Sequence, residues 1–167
     1  MLTRRTRTVW DNVWGFDYTP LKRTALTEPL VDCVEMKAVV TDPFPLLTLD
    51  LYTVTPSDLA FKLPFTLSMR RNDYVHALVA WFDIEFSACH KPVTFSTGPH
   101  TQYTHWKQTV FYLQDALTVE AGEQVSGELS CRPNGRNRRD LDVVIKYMLD
   151  AADQSRRAEG TCEYKMA

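Results

Sequence analysis

From Leu59 to Met69 the chain alternates without a slip. Leu59, Phe61, Leu63, Phe65, Leu67 and Met69 stand on one side; Ala60, Lys62, Pro64, Thr66 and Ser68 stand on the other. Successive side chains of a strand point to opposite faces, so this period predicts a half-buried β-strand. Pro64 has no N–H to give a neighbour and marks an edge or a break within it. The same period governs most of the chain after Leu46. Leu47, Leu49 and Leu51 share a face in a strand expected over 47–53. Residues 74–86 (Tyr74 to Phe86) are nearly continuously apolar and predict one long central strand. Further strands are expected over 107–113, 125–131, 141–147 and 161–166. Pro133, Asn134, Gly135 and Arg136 give a hairpin signal, Ala121–Glu123 a tighter turn, and 150–160 a polar loop. Strands at short spacing with no long helix between them predict an all-β chain with an antiparallel, barrel-like body.

The first residues read differently. Trp10, Val13 and Trp14 are spaced i, i+3, i+4, which predicts one face of a short helix ended by Gly15. Pro20 to Leu26 predicts a second short helix, with Pro20 in its first turn and Glu28-Pro29 breaking it. Neither helix can form a core alone, so Trp10, Trp14, Phe16 and Tyr18 must pack against another surface. The expected organisation is a helical arm over 9–30 and a β-barrel body over 31–167.

The length of 167 residues suits one domain. A net charge of −2 speaks against a basic face for direct nucleic-acid binding. No run of 18 apolar residues suggests a membrane span. The basic start, Met1 to Thr8, lacks the apolar core of a signal peptide. Only six glycines occur, with no Gly-x-Gly and no Gly-Lys-Thr/Ser, so this chain is expected to hold no nucleotide-like cofactor itself. Cys33, Cys89, Cys131 and Cys162 form no Cys-x-x-Cys pair and read as reduced, buried or half-buried thiols of an intracellular protein. The four histidines lack metal-ligand spacing, and no metal is expected; His76, in an apolar strand, reads as a core histidine. Arg132, Arg136, Arg138 and Arg139 read as a solvated hairpin with local ion pairs.

The most informative segment is 103–108, Tyr103, Thr104, His105, Trp106, Lys107 and Gln108, between a Gly/Pro loop and a strand. An imidazole can donate, accept or carry charge near neutral pH. An indole offers a flat wall to a cationic or planar ligand. Side by side at a loop–strand junction, they can form half of a binding site or cap a barrel end.

Several motifs together resemble the C-terminal barrel of the eukaryotic protein arginine methyltransferases, in their asymmetric-dimethylating branch. They are residues 71–80 (from Arg71 to Ala80), 82–86, 95–97 and 103–112, with Arg132-Pro133-Asn134 and 139–142. Residues 10–17 and 28–32 resemble the family's dimerisation arm. The resemblance covers about 9–149 and the last few residues. It implies methyl transfer from S-adenosylmethionine to a guanidino nitrogen of arginine in proteins such as histones and RNA-binding proteins. It makes His105 the candidate catalytic residue and Tyr103, Thr104 and Trp106 candidates for substrate binding. It also makes Trp10, Trp14, Phe16 and Tyr18 the dimer interface of a head-to-tail ring.

The family's Gly-rich cofactor loop, acidic ribose-binding residue and two catalytic glutamates have no counterpart in these residues. The chain is therefore expected to be the arm-and-barrel half, inactive alone. Its expected partners are the S-adenosylmethionine-binding domain of the same enzyme, a second copy, and arginine-rich proteins in cytoplasm and nucleus. The alternative is a non-enzymatic protein that docks on a full-length methyltransferase through its arm. Residues 150–160 depart from the family's compact hairpin and resemble an insertion.

Overall fold

The computed structural model describes residues 12–167. Among the described residues one short helix, α1 (Thr19–Ala25), precedes nine strands: β1 (Leu30–Asp32), β2 (Phe61–Ser68), β3 (Asp73–Ala80), β4 (Asp83–Phe86), β5 (Val93–Ser96), β6 (Gln108–Val119), β7 (Gln124–Pro133), β8 (Leu141–Asp150) and β9 (Ala158–Met166). They form a four-stranded sheet ordered β2-β7-β8-β9, a three-stranded sheet ordered β1-β6-β3, and a β4-β5 ribbon. Every pairing is antiparallel. The mostly β, antiparallel fold expected from the alternation is what the chain adopts.

The alternation places the core. From the larger sheet Phe65, Val125, Val143, Ile145, Tyr147, Leu149, Cys162 and Tyr164 point inward, against Val75, Phe111, Leu113, Leu117 and Val119 from the other. Pro64 sits opposite Glu128 on β2, an edge strand, where a missing donor does least harm. Gly127 lies in β7 between two neighbours. A Cβ there would stand 2.1 Å from the Lys146 carbonyl oxygen and 2.6 Å from Phe65 Cζ, so the strands close only over a glycine.

Several local expectations are corrected. Val13–Phe16 is a tight turn, not part of a helix. Val13 and Phe16 exchange backbone hydrogen bonds of 2.8 and 3.0 Å, and Trp14 (φ 54°) and Gly15 (φ 89°) are both left-handed, as in a type I′ turn. Asn12 Oδ1 accepts from Gly15 N at 2.7 Å and holds the chain closed within four residues. Trp10 lies outside the described residues. The helix expected from Pro20 to Leu26 is present as α1, its start held by Asp17, whose carboxylate accepts from Thr19 N at 2.8 Å.

Among the described residues the segment 47–53 pairs with no strand. Residues 74–86 are not one central strand but an edge strand, β3, and a ribbon strand, β4. The break follows from Thr97, whose N–H and hydroxyl both donate to Phe82 O at 3.0 Å and whose Oγ1 accepts from Phe82 N at 3.2 Å. His76 is not in the core. Val75 pairs with Leu117 and Ala77 with Tyr112, so His76 alone faces the bulge of 113–116. It is half-buried, its ring 6.3 Å from that of Tyr74. Two of the thiols expected to be buried or half-buried, Cys33 and Cys89, are exposed.

The polar stretch 150–160 is a loop over 151–157, as expected, with strand only at its two ends. β8 and β9 stay in unbroken register from Leu141↔Met166 to Leu149↔Ala158, joined through a single 3-10 turn, Gln154–Arg156. From that turn Arg156 reaches the β6–β7 turn. Its Nη1 and Nη2 donate to the two carboxylate oxygens of Glu123 at 2.9 and 2.8 Å, and Nη1 also to Thr118 O at 3.3 Å. Glu123 further accepts from Glu120 N and Ala152 N. The Arg156 hydrogen bonds, and then the Glu120 amide, hold its carboxyl down at about 2.

The pH dependence follows. A depressed carboxyl pKa adds stability that is complete above the ordinary value of 4.5 and lost as pH falls toward about 2. Thermal melts between pH 6 and 2.5 should fall less steeply for Glu123→Gln than for the parent chain. Parallel slopes would show that this pair does not drive the acid response.

Candidate functional site

The site is built on Gln108, the first residue of β6, which is buried although polar. Its Nε2 donates to Thr97 O at 2.7 Å, and its Oε1 accepts from Val34 N at 2.7 Å. One side chain thus ties the end of β5 to the chain leaving β1, and Thr97 in turn ties β5 to Phe82. A buried amide with both ends satisfied fixes a framework, because losing either partner would strand a polar group. This framework joins the ends of β1, β3, β5 and β6 at one place.

The 98–107 loop rises from it. Gly98 is buried so tightly that a Cβ would meet the His100 imidazole at 2.6 Å and Trp81 Nε1 at 2.8 Å. Thr101 Oγ1 donates to Ser96 O and Gly98 O at 3.0 and 2.9 Å. The loop closes with Lys107 N donating to Thr104 O at 3.2 Å, and Lys107 is left-handed at φ 54°. Its ammonium lies 3.7 Å from Asp32 Oδ1.

These constraints set the expected site residues. Trp106 stacks on Phe95 with ring centres 5.9 Å apart and meets Phe82 edge-on at 5.9 Å. It remains 58% exposed, so part of a supported indole is open. His105 and Tyr103 are exposed beside it. Thr104 Oγ1 is buried and has no hydrogen-bond partner. A buried hydroxyl without a partner costs free energy and is uncommon in a finished structure. The surface therefore combines an imidazole and an open aromatic wall on consecutive residues, next in the chain to the buried, unsatisfied hydroxyl of Thr104. Such a surface can bind a planar cation and accept or pass a proton.

Phe82, Phe95, Thr97 and Gln108, which support this loop, stand in the segments that carry the family resemblance, but nothing in the sequence signals their supporting role. The arm residues are placed apart. Trp14 is 95% exposed at its turn, Phe16 is 69% exposed, and Tyr18 is partly exposed. The arginine hairpin is solvated, with Arg132 3.7 Å from Asp142 and Asn134 Nδ2 donating to Asp142 at 2.8 Å. Among the described residues no three His, Cys, Asp or Glu side chains converge as metal ligands.

Comparison with known proteins sets this geometry in a family. Residues 3–154 match the family model described as the arginine methyltransferase oligomerization subdomain. The chain is 54% identical over 147 residues to protein arginine N-methyltransferase 1 of Schizosaccharomyces pombe, covering 88% of this chain and 43% of that protein. It is 50% identical over 157 residues to protein arginine N-methyltransferase 8-B of Danio rerio, covering 94% of this chain and 37% of that one. It thus spans less than half the length of these curated relatives. Among solved structures it is similar to the Trypanosoma brucei PRMT1 enzyme-prozyme heterotetrameric complex with AdoHcy, with a TM-score of 0.93 and 37% identity. That match covers all of this chain and 52% of the other.

Proposed function

The chain belongs to the protein arginine methyltransferase family, and from that membership we propose that it works as the barrel half of an enzyme methylating arginine in proteins. The observation that carries this is the family match over 3–154, together with relatives more than twice as long. S-adenosylmethionine supplies the methyl group. The residues present do not fit it: the two left-handed glycines, Gly15 and Gly122, stand in open space at turn tips, and no Gly-x-Gly exists. Its cradle belongs to the other half of the enzyme.

This chain's part is to complete the arginine entrance. The exposed indole of Trp106, held by Phe95 and Phe82, takes the guanidinium against its face. His105 stands where it can receive or relay the proton that the guanidinium gives up when its nitrogen is methylated. Tyr103 widens the same wall for the flanking peptide.

A fusion of the N-terminal remainder of the Schizosaccharomyces pombe relative to this chain tests the reading. It should bind S-adenosylmethionine and methylate an arginine-rich peptide, while this chain alone does neither. Methyl transfer by the isolated chain, or a folded, cofactor-binding fusion without transfer, would overturn it.

The arm is proposed to dock on a second copy, giving a head-to-tail dimer in cytoplasm and nucleus. Trp14, held outward on a strained left-handed turn, is its anchor. Bulky residues adopt that conformation rarely and at a cost of about 1–3 kcal/mol. Trp14→Ala should leave the melting temperature unchanged and shift sedimentation velocity toward monomer. An unchanged sedimentation profile removes Trp14 from the interface.

The similarity to an enzyme-prozyme heterotetramer favours a second reading, in which this chain docks on a methyltransferase without being catalytic. Co-purification with a full-length relative, and no gain of activity in the fusion, would support it.

A further inference from the structure

Between the isolated Thr41↔Met69 bridge and the 3-10 turn at Pro56–Leu59 the chain leaves the sheets. Leu46 packs against the core, and its neighbours do not. Leu47, Leu49 and Leu51 keep the strand alternation of their sequence yet are 40%, 39% and 77% exposed, with Phe44 at 42% and Tyr52 at 88%. Among the described residues no backbone group from Phe44 to Leu49 makes a hydrogen bond. The first closure comes at Asp50, whose carbonyl accepts from Thr53 N and Val54 N at 3.1 and 2.8 Å and whose carboxylate accepts from Tyr52 N at 2.9 Å. This is strand sequence with neither a strand partner nor a cover for its apolar side chains.

Its chemistry limits what can cover it. Residues 43–49 carry no charge. Asp42, just before them, is paired with Arg70, and Asp50, just after, caps its own turn. Permanent interfaces are the apolar, uncharged kind, whereas interfaces that form and part are more polar. A second copy already has a separate aromatic contact in Trp14 and Phe16. What remains is the more than half of each curated relative that lies outside the matched stretch.

We infer that Phe44–Tyr52 is the seat of the cofactor-binding half of the methyltransferase, which covers the leucines and supplies hydrogen-bond partners to the free backbone. The inference rests on the proposed function and adds the surface through which the two halves become one body. The exposed leucines then disappear from solvent in the complete enzyme, and the backbone between Phe44 and Leu49 gains the pairing its sequence is suited to.

Hydrogen exchange read by mass spectrometry tests it, comparing this chain alone with the fusion described above. In a fusion that binds S-adenosylmethionine, amides from Leu46 to Leu51 should exchange about 100-fold more slowly than in the isolated chain. Exchange as fast as in the isolated chain overturns the surface and leaves the functional reading standing. A fusion that binds no cofactor strikes the functional reading, and the surface is then decided on the isolated chain. There Leu49→Asp together with Leu51→Asp should leave the melting temperature unchanged, because both leucines are exposed in the isolated chain. A lowered melting temperature would mean that these leucines are already buried, and would overturn the inference.

Discussion

Replacing His105 by alanine in the cofactor-binding fusion is expected to lower kcat by about 100-fold, the lower end of what a positioned proton acceptor contributes. Its KM for the arginine peptide should change little. The side chain is exposed, so melting should be unchanged and the loss belongs to the reaction. Trp106→Ala should show the opposite split. It removes the wall against which the guanidinium lies and should raise KM more than it lowers kcat. Single-turnover rates at saturating S-adenosylmethionine separate the two. A fall of less than about threefold for His105→Ala would leave the imidazole no part in proton transfer.

The largest effect on stability is expected at Gly127. Its β7 strand is paired on both sides, in register with β2 through Phe65 and with β8 through Tyr147. A methyl group placed 2.1 Å from the Lys146 carbonyl oxygen cannot be relieved by a side-chain rotation, since the obstacle is backbone. Gly127→Ala should cost about 3 kcal/mol, at the upper end for overpacking, and lower the melting temperature by roughly 6–12 °C. Gly135→Ala, in open space at the β7–β8 hairpin, is the control and should melt within about a degree of the parent. Equal melting of the two variants would mean that the strands shift apart at no cost.

Much of the body was legible because alternation is a local signal. The pattern from Leu59 to Met69 became β2, and Pro64 fell on the edge its chemistry requires. The Asn134–Gly135 and Gly122 turns closed the hairpins expected of them. What was not legible depended on distant partners. Nothing around Trp81 and Phe82 reveals that a threonine fifteen residues on will take the Phe82 backbone and end β3. Alternation at Leu47–Leu51 looks the same whether or not a neighbouring strand exists. The i, i+3, i+4 spacing of Trp10, Val13 and Trp14 suggested a helix, but Asn12 and Gly15 closed a tighter turn through a side-chain hydrogen bond. At the candidate site the reactive residues could be named from 103–106, while their footing could not. Thr97 and Gln108 act through hydrogen bonds to segments 11 and 74 residues away from Gln108.

The proline on β2 has a consequence for how copies of this chain meet. The open side of a sheet can recruit another strand from a second molecule and repeat the step without limit, which is the route to fibrils. Pro64 offers no donor midway along β2, and Lys62, paired with Glu128 at 3.0 Å, adds a charge beside it. Growth by stacking strand on strand is blocked along this border. Contacts at this border are left to side chains rather than to backbone pairing.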